Sequence, residues 1–343
     1  MSTIGRTLMA LVIGTGLACR LTDGQAADAE PPAVVATIPP LHSLVSAVMA
    51  GVGEPRLLIK GAASPHTASL RPSDAAALQG ADLVFWIGDG LEAFLVKPLA
   101  ALPEKAEVVA LAEAPGVRLL PARAGGPWGE HHHADEHDDH AHKDHEHEGP
   151  EHGHEHGEAA ADGHADDGHE EGAVDMHIWL DPENAKAMAA AIAAALAKAD
   201  PARADVYAGN VQALQQRLAA LDEEIRAELA PVAGKPYIVF HDAYQYFEVR
   251  YGLSPAGAIT FSPERAPGAK TLSEIRERIK TSGAACVFRE PQFEPDLVKT
   301  VIGGTFARVG VLDPIGADIP PGPDAYPVLL DRLATAIRDC FDA

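Results

Sequence analysis

Seventeen histidines fall into two unlike groups along this chain. His42, His66, His177 and His241 stand alone, and the rest crowd between Glu130 and Glu171. Neutral imidazole is the commonest protein ligand for transition metals. The crowded tract, HHHADEHDDHAHKDHEHEGPEHGHEH, must therefore bind such ions at some strength. Its donors are His131, His132, His133, His137, His140, His142, His145, His147, His152, His154 and His156. Acids and glycines alternate with them, Lys143 is the sole base, and nothing there can bury a core. Each ion held by so flexible a segment has to offset the entropy of ordering it. Several weak sites at high local concentration are expected, in an accessory role of capturing metal. A dispensable solvated loop is the plain alternative.

The isolated histidines are better placed for a selective site. His66 follows LLIKGAASP, in the loop after an expected strand. His241 ends the apolar run YIVF and opens a helix, and His177 begins MHIWLDP just past the tract. A lone histidine is more often a satisfied polar residue than a ligand. Three at strand ends are another matter, because open α/β sheets bind ligands beyond the carboxyl ends of their strands. His42, after PPL at the start of the first helix, is expected to be structural. Phe85, Trp86 and Trp179 read as core.

The elements that would carry these residues alternate. AVVATIPPLHSLVSAVM predicts a strand at 34–38, a turn at Pro39-Pro40 and a helix. PRLLIKG predicts a second strand. A helix opening at Pro72 and Ser73, a strand at 83–87 and an apolar segment at 107–111 follow. Strands alternating with helices indicate a parallel sheet flanked by helices. Periodicity fails over 125–173, which is expected to be a disordered surface insertion. Order resumes with Asp181 as N-cap and Pro182 at the first helical position, in a helix running to about Ala199. Helical periodicity then holds from Pro201 to Leu229, a rod of roughly 40 Å that could join two lobes. From 235 the first half's logic repeats in strand, helix, helix, strand, strand and helix. The expected fold is α/β: two lobes with parallel sheets flanked by helices, joined by a long backbone helix, around an interlobe cleft. The divisions are 1–27 as a leader, 33–180 as the first lobe, 182–230 as linking helices and 235–343 as the second lobe.

Composition narrows the partners. A formal charge of −23 over 343 residues argues against nucleic acid or an anionic membrane and favours a cation. Arg6 and the apolar run 7–18 read as an export signal, too short for a membrane span. Cleavage is expected in GQAADA; lipidation at Cys19 is disfavoured by Gly16 in GLAC. Export leaves Cys286 and Cys340 in the mature chain. An isolated pair in an oxidising compartment usually forms a disulfide, with two separate buried thiols as the alternative.

SPHTASLRPSD, ADLVFWIGDGLEAFL, MHIWLDPE, VFHDAYQYF, CVFREPQF and LDPIG, in that order, resemble the zinc-binding component of bacterial high-affinity zinc ABC transporters. The resemblance spans nearly the whole mature chain. It implies a periplasmic, monomeric receptor with two α/β lobes, a long helix between them and Zn²⁺ in the cleft, delivered to a cognate ABC permease in the inner membrane. It also implies a disulfide between Cys286 and Cys340 and an acidic, His-rich insertion before MHIW. The family's three histidine ligands fall on His66, His177 and His241. Pro65 departs from the pattern, since relatives often carry there a glutamate that can reach the metal. The fourth position is left to water or to a carboxylate of the second lobe, for which Asp313 is the candidate; Glu290 reads as orienting an imidazole.

Three imidazoles and one oxygen suit tetrahedral zinc. Manganese favours more carboxylate or water, so a receptor for manganese or another divalent metal is the nearest rival. A storage or chaperone protein built on the tract is a second. A zinc hydrolase is the third, but it needs a general base beside the bound water and no HExxH occurs.

Overall fold

The computed structural model describes residues 30–101, 105–123, 125–128, 173–260, 267–293 and 296–343. The expected leader, Cys19 and the histidines of the tract lie outside the described residues. The first lobe runs β1 (Val34–Ala36), α1 (Pro39–Val48), β2 (Arg56–Leu57), α2 (Pro72–Gln79), β3 (Leu83–Trp86), α3 (Val96–Ala101) and β4 (Glu107–Ala110). A two-stranded antiparallel pair follows, β5 (Leu120–Pro121) with β6 (Val174–Asp175). Next come α4 (Pro182–Ala199) and the long α5 (Ala204–Leu229). The second lobe runs β7 (Pro236–His241), α6 (Gln245–Tyr251), β8 (Ser254–Thr260), α7 (Ala269–Ser282), β9 (Cys286–Arg289), α8 (Asp296–Ile302), β10 (Arg308–Val311) and α9 (Ala325–Asp342).

Both four-stranded sheets are parallel and share one strand order. The first is β2-β1-β3-β4 and the second, read from its other edge, is β8-β7-β9-β10. In each, the chain starts at an inner strand, adds an edge, then crosses back to the other side. Ligands favour the crevice at that reversal. In the second lobe the reversal lies between β7 and β9, which end at His241 and just before Glu290.

Period-two alternation assigns the two faces of each sheet. Tyr237 and Val239 join the large central core while Ile238 and Phe240 face a separate outer cluster with Ile275 and Ile279 of α7. Val34, Ala36, Leu83 and Phe85 likewise face the centre, and Val35 and Val84 face the outer cluster around Leu78. The central core is continuous through α1, α4, α5 and α9 and touches the inner face of both sheets.

Local signals explain the helix starts. Asp181 caps α4 by accepting from Glu183 N at 2.9 Å, with Pro182 at the first turn. Pro201 opens a short 3-10 turn, so α5 proper begins at Ala204, three residues after the expected start. At the start of the expected insertion the chain is ordered against the second lobe. Gly126–Trp128 is a 3-10 turn lying against β8, where the Pro127 carbonyl accepts from Arg278. Gly257 allows this approach: a Cβ there would sit 2.7 Å from the Pro127 oxygen. Cys286 and Cys340 are joined in a disulfide that ties β9 to α9. Among the described residues no helix is long and apolar enough to cross a membrane.

Candidate metal centre

Three chain segments deliver His66, His177 and His241 to one point between the lobes. His66 sits on the loop after β2, its backbone N–H donating to Ser64 Oγ at 3.3 Å. His177 lies between β6 and a 3-10 turn at Ile178–Leu180. His241 is the last residue of β7. The latter two are buried, at 7% and 4% exposure.

Each buried imidazole is held by a carboxylate. His177 Nδ1 donates to Asp175 Oδ1 at 2.8 Å, and the same oxygen takes the His177 backbone N–H at 3.0 Å. His241 Nδ1 donates to Glu290 at 2.7 and 2.8 Å, and Tyr244 Oη adds a bond to Glu290 at 3.1 Å. An ionised carboxylate only accepts, so Nδ1 carries the proton in both rings. The Nε2 lone pairs are then left to face the cleft, the usual way a carboxylate fixes a metal-binding tautomer.

Those nitrogens converge. His177 Nε2 lies 3.3 Å from His66 Nε2 and 3.4 Å from His241 Nε2. Zinc–nitrogen bonds of about 2.0–2.1 Å in tetrahedral geometry place ligand nitrogens about 3.3–3.4 Å apart. Lone pairs facing each other at this distance repel unless a cation lies between them. Among the described residues, these three form the group of His, Cys, Asp and Glu able to hold a metal, with donor atoms within 4.8 Å of one another.

Electrostatics favour neutral rings at one end and a proton-ready ring at the other. Burial and the two neighbouring imidazoles push the His66 pKa down to about 2. Burial also acts to lower His241, but the charge and hydrogen bond of Glu290 outweigh it, with Asp242 and Asp175 adding to the rise. A proton thus competes with metal more strongly at His241 than at His66.

Asp313 stands apart from this donor set. Its Oδ1 accepts from Ile315 N at 3.1 Å and Gly316 N at 3.0 Å, and its Oδ2 from Ala317 N at 2.6 Å. The carboxylate closes its own turn after β10, and Gln292 Nε2 donates to it at 2.7 Å. His42 is also elsewhere, its Nε2 donating to the Pro55 carbonyl at 3.0 Å. Phe85 is core, Trp86 is partly buried, and Trp179 is buried with Nε1 donating to the Pro314 carbonyl at 2.8 Å. Trp179 also borders the cavity that contains the triad, together with Ser64, Pro65, Glu290, Gln292, Phe293, Pro314 and Ile315.

Sequence reasoning missed Asp175, whose only mark is an acid two residues before a histidine. It also missed Arg123, which reaches the second lobe to pair with Asp242, beside His241, and with Glu248 at 2.7 Å. Trp128 stacks on that guanidinium, 3.6 Å from ring centre to Cζ. An arginine two residues before the expected insertion carries no mark of such a partner.

The family model for zinc-uptake complex component A, periplasmic, matches residues 34–340. The high-affinity zinc uptake system protein ZnuA of Brucella abortus (strain 2308) is 50% identical over 321 residues, covering 93% of this chain and 94% of the relative. The protein of the same name from Yersinia pestis is 40% identical over 309 residues, covering 90% and 91%. A crystal structure of ZnuA superimposes with a TM-score of 0.70 at 25% identity, covering 90% of this chain and 99% of that one.

Proposed function

The chain belongs to the family of zinc-uptake complex component A, periplasmic, and on that premise we propose that His66, His177 and His241 grip its cargo. The protein is the periplasmic zinc-binding receptor of an ABC uptake system; it hands Zn²⁺ to a permease and catalyses no reaction. The observation that carries the ligand assignment is the convergence of three Nε2 atoms at the spacing of tetrahedral zinc. An all-imidazole set argues against manganese, which prefers carboxylate and water.

The fourth position belongs to water in this reading, because the Asp313 oxygens are taken by turn amides. Residues 1–27 act as a leader removed on export, and the mature receptor works as a monomer with a permease in the inner membrane. The divisions 33–180, 182–230 and 235–343 serve as lobe, linking helices and lobe. The tract histidines capture zinc weakly and pass it to the cleft. Three imidazoles release zinc slowly unaided, so docking on the permease must disturb the cleft.

Calorimetric zinc titration tests this on the chain lacking residues 1–27 and on a variant also lacking 130–171. One tight site is expected in both, abolished by His241→Ala and retained in Asp313→Ala. Disappearance of the tight site with the deletion would move the function to the tract and sink the cleft reading.

A further inference from the structure

We propose that Gln292 holds the water that completes the coordination of the cargo ion, and that its being an amide keeps that water from becoming a nucleophile. The inference rests on the triad reading above. Gln292 lies two residues after Glu290 and borders the same cavity as the three imidazoles. Its Nε2 donates to Asp313 Oδ1 at 2.7 Å. A carboxylate only accepts, so chemistry alone requires the amide nitrogen to face Asp313. Asp313 is itself fixed by three backbone N–H groups of its turn. The orientation of the amide is therefore set from outside the cavity.

The other end of the amide is unanswered. Gln292 Oε1 is buried and has no hydrogen-bond partner among the described residues. Buried acceptors of this kind are uncommon and call for an explanation. Several donors around the cavity are engaged elsewhere. Trp179 Nε1 bonds to Pro314, Tyr244 Oη to Glu290, and the Nδ1 protons of His177 and His241 to their carboxylates. Water on a zinc ion is a strong hydrogen-bond donor, since the metal draws electron density from it. It supplies the donor that Oε1 lacks.

The choice of an amide matters chemically. Zinc on three histidines with one open position is also the arrangement that makes hydroxide near neutral pH. A carboxylate at residue 292 could take the proton and act as general base. An amide oxygen accepts the hydrogen bond but cannot keep the proton. Gln292 thus steadies the fourth ligand while leaving it neutral, which suits a protein that must return its ion unreacted.

Cobalt(II) loaded in place of zinc gives a visible spectrum that reports on the fourth ligand. Azide, an anion without a proton to donate, is titrated against it in the parent chain and in Gln292→Leu, with zinc affinity measured by calorimetry. Losing the acceptor should weaken zinc about tenfold while azide binds about tenfold tighter, the size of one hydrogen bond to a charged centre. A merely structural lesion would weaken both together. Azide affinity that is unchanged, or that falls with zinc in Gln292→Leu, overturns the proposal. A parent chain with no tight zinc complex fails the triad reading itself, and the inference with it.

Discussion

Asp175 and Glu290 act alike from opposite sides of the cleft, each accepting the Nδ1–H of an imidazole and turning its Nε2 toward the cleft. Carboxylates in this position raise ligand basicity and hold ring orientation. Asp175→Asn and Glu290→Gln should each lower zinc affinity about 10–100-fold, read by competition with a chromophoric chelator. An effect below twofold for both would mean that packing alone orients the rings. The meeting of His66, His177 and His241 was legible in the sequence because each follows or ends a strand. Asp313 was not readable in the same way. Its residue type suits a ligand, but the turn amides of Ile315, Gly316 and Ala317 determine where its oxygens point. Hydrogen bonds inside a turn leave no trace in spacing.

Among the elements, strands rich in β-branched residues and helices with proline starts were legible, and β5, β6 and β8 were not. β8 reads SPAGAIT, and its Gly257 reflects the approach of Pro127 from far along the chain. β5 and β6, two residues each, pair across the insertion and carry no periodicity. The loop after β3 holds a device the sequence also concealed. Glu92 is fully buried, and its Oε2 accepts from Ile87 N at 2.8 Å and Gly88 N at 3.2 Å. Burial pushes its pKa up to about 7 against the opposing bonds from the loop amides. The folded state therefore holds more protons than the unfolded one between about pH 4.5 and 7, so stability falls as pH rises through that window. A shift of this size corresponds to about 3 kcal/mol. Glu248, also buried and raised to about 7, adds a slope of the same sign. Glu92→Gln should remove about half of the loss between pH 5 and 8 in urea unfolding. A slope identical to the parent's would show that Glu92 is not the group responsible.

At the scale of the whole molecule, the two lobes share one core. Trp179 bonds to Pro314, Tyr326 Oη donates to the Trp179 carbonyl at 2.6 Å, and Tyr326 N donates to Ser43 Oγ at 2.8 Å. Arg123 adds a charged tie from the first lobe's last segment to Asp242 and Glu248. Wide hinge motion would break this continuous packing, so limited tilting is the motion it allows. The lobes should unfold together in a single calorimetric transition. Zinc at a thousandfold excess over Kd stabilises by about 4 kcal/mol, raising the midpoint by about 10 °C. Two separated transitions, with zinc moving only one, would contradict a shared core. The paired sheets were legible from alternating elements, but the shared core was not, because contacts between α1, α5 and α9 join distant parts of the chain.

The two carboxylates behind the imidazoles also set a valence. Asp175 and Glu290 are 6% and 1% exposed, and among the described residues no lysine or arginine borders the cavity to answer them. Neutral imidazoles contribute no charge. A divalent ion would therefore match the charge of these two carboxylates. Cuprous ion would strand a negative excess in a poorly solvated space, and ferric ion a positive one, each at a cost. Oxidation state is thus screened by the surroundings of the ligands, independently of the geometry that the ligands impose.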